Sequence, residues 1–160
     1  SIVQIPLAPY GGLLLPRHTV EAIGLPDERL FTYADDTEYT YRITRAGGAI
    51  HLVLPSILID VDDSWGTGKP RLPFPAQLIQ LNPSFRVYFT VRNHTYFSSH
   101  FWCHHRWSYL FNRFVFVSTL AILSLAYRRP SRFSLIWGAI VAGERQEFGF
   151  PQNLEVPGRN

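Results

Sequence analysis

The chain has 160 residues, of which 46% are hydrophobic, 15% aromatic and 17% charged, with a formal net charge of +3. This is one domain's worth of sequence, able to bury a moderate core and greasy for a soluble domain. Its single cysteine, Cys103, excludes an internal disulfide and fits a reducing compartment, and residues 1–15 lack the basic start and cleavage site of a secretory signal.

Ile2 to Leu7 and Leu13 to Leu15 read as short strands beside Gly and Pro turns, and Arg17 to Ile23 as a short helix. Leu30 to Tyr33 reads as a strand feeding the acidic segment Asp35-Asp36-Thr37-Glu38, which opens a helix from Asp36 to Ala46. Gly47-Gly48 end that helix. Strands follow at Ala49 to Leu54 and Ile57 to Asp60. Asp62 to Ala76, rich in Gly, Pro and charge and carrying Trp65, reads as a loop or lid. Asn82 as cap and Pro83 at the first helical position open a helix that runs through Arg92. Apolar runs follow at Phe114 to Tyr127 and Phe133 to Ala142, separated by Pro130, and the tail after Phe150 reads as loose. No repeat stands out.

Three carboxylates within four residues repel one another, so a fold that keeps them beside a buried segment usually has a use for them. The plain use is capping. Asp35 as N-cap and Glu38 three residues on make a capping box, and Glu38 pairs with Arg42 on one helix face. That leaves Asp36 unexplained. At the first helical position its carboxylate sits at the positive helix end, which favours the charged form and suits a general base. A second cluster, Asp60-Val61-Asp62-Asp63, either solvates a turn or offers hard oxygen ligands to a cation.

Charge is divided along the chain. Residues 1–85 carry nine acids and six bases; residues 86–160 carry three acids and nine bases. Between Arg86 and Gly143 there are seven arginines and no acid. The 14-residue run Phe114 to Tyr127 lies in this stretch, flanked by Arg113 and Arg128-Arg129. It is shorter than the roughly 20 residues that span a bilayer, which leaves a buried core helix or a segment at the membrane interface. Basic residues flanking two apolar runs favour an anionic membrane surface, on the cytoplasmic side, over nucleic acid.

The stretch Leu30-Phe31-Thr32-Tyr33-Ala34-Asp35-Asp36-Thr37-Glu38-Tyr39-Thr40-Tyr41-Arg42 resembles the acceptor-side motif of family-2 type bacterial glycosyltransferases with the GT-A fold. The resemblance extends in order through Gly11 to Pro16, Val20 to Glu28, Tyr88-Phe89-Thr90-Val91-Arg92-Asn93 and Ala142 to Gly149, which look like rhamnosyl- and galactofuranosyl-transferase-like members. It covers about residues 10 to 150.

The resemblance implies an α/β chain: the C-terminal part of a GT-A fold with a short mixed sheet, then a mostly helical region. It implies an acceptor-side portion at 1–81, a basic, aromatic, membrane-proximal region at 82–150 and a tail at 151–160. Asp36 takes the place of the catalytic base of an inverting transfer from a nucleotide-diphosphate sugar to a glycan or lipid-linked acceptor. Asp35, Glu38 and Trp65 take acceptor-binding places, and Arg42 supports the motif. Asp60 stands where a metal ligand, usually His, serves Mg²⁺ or Mn²⁺. No Asp-x-Asp motif precedes Asp35, and too few residues do so to form the nucleotide-binding βαβ units, so the chain reads as part of a longer enzyme and inactive alone. The expected location is the cytoplasmic face of the bacterial inner membrane, peripheral or interfacial, with no nucleic-acid partner. A non-catalytic membrane-associated domain or a sugar-binding module is the other reading of the same residues.

Overall fold

A computed structural model describes residues 1–59, 72–80, 83–151 and 154. The candidate residues Asp60 and Trp65 lie outside these. The chain is mixed α/β and divides into two compact units, Ser1–Gly68 and Lys69–Asn160.

The first unit holds β1 (Ile2–Ile5), α1 (Arg17–Ile23), a 3₁₀ turn (Glu28–Leu30), α2 (Asp35–Arg45) and β2 (Ile50–Val53). β1 and β2 form an antiparallel ribbon with Ile2 opposite Val53 and Ile5 opposite Ile50. Among the described residues this ribbon is the whole sheet, in place of the expected mixed one. Leu13 to Leu15 and Ile57 to Ile59 are not strands, since neither segment pairs in a ladder among the described residues. A small core forms where Tyr39 and Ile43 on one face of α2 meet Ile50, with Ile5, Ala8, Leu15 and Ile23 packed around them. Tyr39 and Ile43 are four apart, so they stack on one side of the helix.

The segment before α2 is not the expected strand. Asp27 accepts a hydrogen bond from the Arg29 backbone N–H at 3.0 Å and caps the 3₁₀ turn, which buries Leu30. Phe31, Tyr33 and Ala34 then adopt φ near +60°. Non-glycine residues at such angles cost roughly 1–2 kcal/mol each. Leu30 to Ala34 is thus a tight, strained turn. Ala34, not Asp35, is the N-cap of α2, and its methyl side chain makes no capping hydrogen bond. At the other end, Gly47 at φ +88° donates to the Thr44 carbonyl and Gly48 N–H to the Ile43 carbonyl, the paired bonds of a Schellman motif. A Cβ on Gly48 would lie 2.7 Å from the Ile43 side chain, so the Gly-Gly pair ends α2 as the sequence suggests.

The second unit is helical: α3 (Phe74–Gln80), α4 (Ser84–Phe97), a π turn (Ser98–Trp102), α5 (Arg106–Ala126) and α6 (Pro130–Glu144). α3 begins inside the segment expected to be loop, since Phe74 to Ile79 supplies apolar residues that bury Ala76, Leu78 and Ile79. α4 begins one residue later than expected, with Pro83 as N-cap, and runs to Phe97, beyond Arg92. It is the central helix, burying Val87 through Asn93. α6 crosses it closely at Gly143. A Cβ there would collide with the Arg92 carbonyl oxygen, so only glycine permits the approach.

α5 departs most from expectation. All of the 14-residue run but Tyr127, the C-cap, belongs to a 21-residue helix in which Arg113 sits inside rather than at the flank. At 1.5 Å per residue it is about 32 Å long. It is long and apolar enough to cross a membrane, yet only Leu120 and Ser124 on it are buried. Trp107, Leu110, Phe111, Phe114, Val115, Ile122 and Leu125 are exposed, which is not the pattern of a core helix.

Candidate active site

The first turn of α2 separates the three acids by environment. Glu38 points inward. Its side chain is 7% exposed, and its Oε1 lies 2.8 Å from Arg42 Nε one turn along. Among the described residues Glu38 Oε2 has no hydrogen-bond partner, so only one of its two oxygens faces a charge. Burial is therefore incompletely compensated. Desolvation pushes the Glu38 carboxyl above its ordinary range despite the opposing pull of Arg42. The same guanidinium donates to the carbonyls of Ile23 at 2.8 Å and Leu25 at 2.9 Å, and lies over the Tyr39 ring at 5.1 Å. Arg42 thus ties α2 to the end of α1 and to the turn that follows. The expected capping box does not form, because Glu38 is turned toward Arg42 and the cap position belongs to Ala34.

Asp36 is half-buried. Its Oδ1 accepts from the Thr37 backbone N–H at 2.6 Å and from the Thr37 hydroxyl at 3.2 Å, and Oδ2 has no hydrogen-bond partner among the described residues. One oxygen is fixed and the other is unoccupied, at the positive end of an 11-residue helix. Asp35, also half-buried, makes no side-chain hydrogen bond among the described residues.

Two neighbours escaped the sequence reading. The Tyr10 phenol is raised above its ordinary value, first by burial and then by the negative charges of Asp35, Asp36 and Glu38. Its ring stands edge-on to Tyr39, centroids 6.1 Å apart, so loop 8–10 forms one wall beside the acids. Thr40, fully buried, holds that loop in place: its hydroxyl accepts from Ala8 N–H at 3.2 Å and lies 2.8 Å from the Asp36 carbonyl. A tyrosine 25 positions upstream gives no periodic signal that would link it to the motif.

The arrangement presents one carboxylate oxygen without a partner among the described residues, a phenol and a second carboxylate. Asp35 and Asp36 are hard oxygen donors of the kind Mg²⁺ and Mn²⁺ take. Among the described residues, however, no three His, Cys, Asp or Glu side chains converge on one point.

In the helical unit, two other segments of the resemblance meet. Arg92 is fully buried in α4. Its Nε donates to Asn93 Oδ1 at 2.8 Å, and its Nη1 donates to the carbonyls of Phe148 at 3.1 Å and Gly149 at 3.3 Å. The guanidinium also lies 4.7 Å from the Phe89 ring centroid and 5.5 Å from that of Phe148. The buried Arg92-Asn93 pair therefore anchors the backbone at Phe148 and Gly149, a structural role.

Comparison with protein-family models, curated proteins and solved structures returns no match to this chain.

Proposed function

We propose that this chain is the acceptor-side part of an inverting glycosyltransferase, with Asp36 as general base. The observation that carries the reading is the division of labour among the three acids. Glu38 is engaged with Arg42, whereas Asp36 keeps one carboxylate oxygen free at a helix start held by a strained turn. Strained backbone of this kind clusters at functional sites. In the proposed step the Asp36 Oδ2 takes the proton of an acceptor hydroxyl as its oxygen attacks the anomeric carbon. The bond from that carbon to the nucleotide diphosphate breaks, and the diphosphate leaves with the electron pair. General-base help of this kind is worth roughly 10²–10⁴-fold.

Asp35, Glu38 and Trp65 belong to this reading as acceptor-side groups, Glu38 acting by holding Arg42. Asp60 is the carboxylate offered to the Mg²⁺ or Mn²⁺ that the resemblance implies, an ion that would neutralise the diphosphate. The acceptor is a glycan or lipid-linked glycan at an anionic, cytoplasmic membrane face. The exposed apolar side of α5, with Arg128 and Arg129 exposed just beyond its end, supports that location.

A transfer assay tests the reading. The full-length protein is incubated with a panel of uridine- and thymidine-diphosphate sugars and a bacterial glycolipid extract. Transfer of one labelled sugar to the lipid fraction supports it. Membrane binding without turnover of any donor favours the non-catalytic membrane-associated domain, whose support is the same exposed face of α5.

A further inference from the structure

Two adjoining chambers lie in the helical unit, where the Ser98–Trp102 turn leads into α5. One, of about 470 Å³, is walled mainly by apolar side chains: Phe74, Val91, Trp102, Phe116 and Ile140. The other, of about 450 Å³, is lined by His100, His104 and Arg106. They share Cys103, Tyr109 and Arg113, so the apolar chamber opens beside the basic one. Volumes of this size suit small ligands.

The charge of the second chamber follows from its contacts. Its carboxylate, Glu144, accepts from the Tyr109 hydroxyl at 2.8 Å and lies 3.0 Å from Arg113 Nε, so it is balanced in place. Arg106 makes no ion pair among the described residues and gives the chamber a net positive charge. His100 Nδ1 lies 2.8 Å from the Ser99 hydroxyl and 3.0 Å from the Tyr96 carbonyl oxygen, which holds the ring at the edge of the chamber. Among the described residues His105, the N-cap of α5, makes no side-chain capping bond, and the backbone N–H groups at the helix start add to the positive field. An apolar pocket beside a cationic one matches a molecule with the same division.

We propose that the two chambers form one site for an amphiphile with a single apolar chain and a phosphate-type anionic head. The chain lies between α4, α5 and α6, and the head sits against Arg106 and His104. Leu110 lines the basic chamber and belongs to the exposed apolar side of α5, which gives such a molecule a continuous apolar approach. The site lies wholly in the helical unit and does not depend on the role of Asp36.

Calorimetric titration of the whole chain, below the micelle concentration of each probe, tests this. Monododecyl phosphate should bind one-to-one, at least tenfold tighter than dodecyl maltoside, and inorganic phosphate at the same concentration should not compete. Arg106→Glu should weaken dodecyl phosphate at least fivefold and leave the maltoside unchanged. Asn112→Trp, at an exposed position on the apolar chamber, should weaken both with an unchanged circular dichroism spectrum. Equal affinity for the two amphiphiles, binding of several copies, or no binding overturns the proposal. Competition by inorganic phosphate alone overturns it too, as a plain anion site. Binding untouched by both variants removes the site from these chambers.

Discussion

Replacing Arg42 by alanine should loosen the first unit measurably. The substitution removes the partner of Glu38 and the two hydrogen bonds that tie α2 to the Ile23 and Leu25 carbonyls. Breaking a fully buried ion pair from one side costs roughly 3–5 kcal/mol, because a charge is left unpaired. The Arg42 side chain is 30% exposed against 7% for Glu38, so solvent screens part of that loss. The Glu38 carboxyl, already displaced toward its neutral form, can also take up a proton. We therefore expect a loss of about 2–3 kcal/mol. Hydrogen–deuterium exchange of peptides from α2 reads this locally, without requiring the two units to unfold together. Exchange of the Tyr39 to Ile43 amides should speed up by about 30- to 150-fold. Replacing both Glu38 and Arg42 by leucine should recover part of the protection. Exchange within threefold of the wild-type rate in Arg42→Ala would show that Glu38 and Arg42 do not hold α2.

The same carboxyl sets a pH dependence. Its folded pKa is raised, so between the ordinary Glu value and the folded one the native state binds more protons, and this contribution to stability is lost as pH rises. Asp27, lowered by its hydrogen bond with Arg29, works the other way, its contribution fading as pH falls through the folded value. Urea titrations across the carboxylate range should show the Glu38 slope vanish in Glu38→Gln while the Asp27 slope remains. Gly143→Ala should destabilise the helical unit by about 1–3 kcal/mol, since the new methyl meets the Arg92 carbonyl; an unchanged thermal midpoint would show that α4 and α6 can part without cost. The whole chain should co-sediment with anionic vesicles, weakened but not abolished by salt, and replacing Arg128, Arg129 and Arg132 together by glutamate should release most of it without unfolding. Equal partitioning onto neutral and anionic vesicles would contradict the charge term.

Helices were legible where periodicity, caps and breakers agree. Arg17 to Ile23 and the Gly47-Gly48 end of α2 follow from local sequence, because a C-terminal glycine pair has one economical geometry. Leu30 to Tyr33 has an aromatic, β-prone composition that is overridden by the Asp27 cap and by packing of Leu30. Leu13 to Leu15 and Ile57 to Ile59 have strand-like composition without a partner. The length of α5 was hidden by Arg113, which reads as a flank but in fact pairs with Glu144 and stacks on Trp137 at 5.4 Å. At the site, the pairing of Glu38 with Arg42 was visible from their four-residue spacing, whereas Tyr10 and Ala8 arrive through tertiary packing that no local pattern encodes.

Turnover of Asp36→Asn decides whether Asp36 is the general base. In the full-length protein, with labelled donor and glycolipid acceptor, this substitution keeps the Oδ1 contact with Thr37 and removes the basicity of the other oxygen. The account predicts a fall in kcat of at least ~10²-fold with donor affinity nearly intact, as for loss of a general base, and a smaller effect for Asp35→Asn. A kcat within a few-fold of wild type for Asp36→Asn would contradict it and return the acidic turn to a purely structural role.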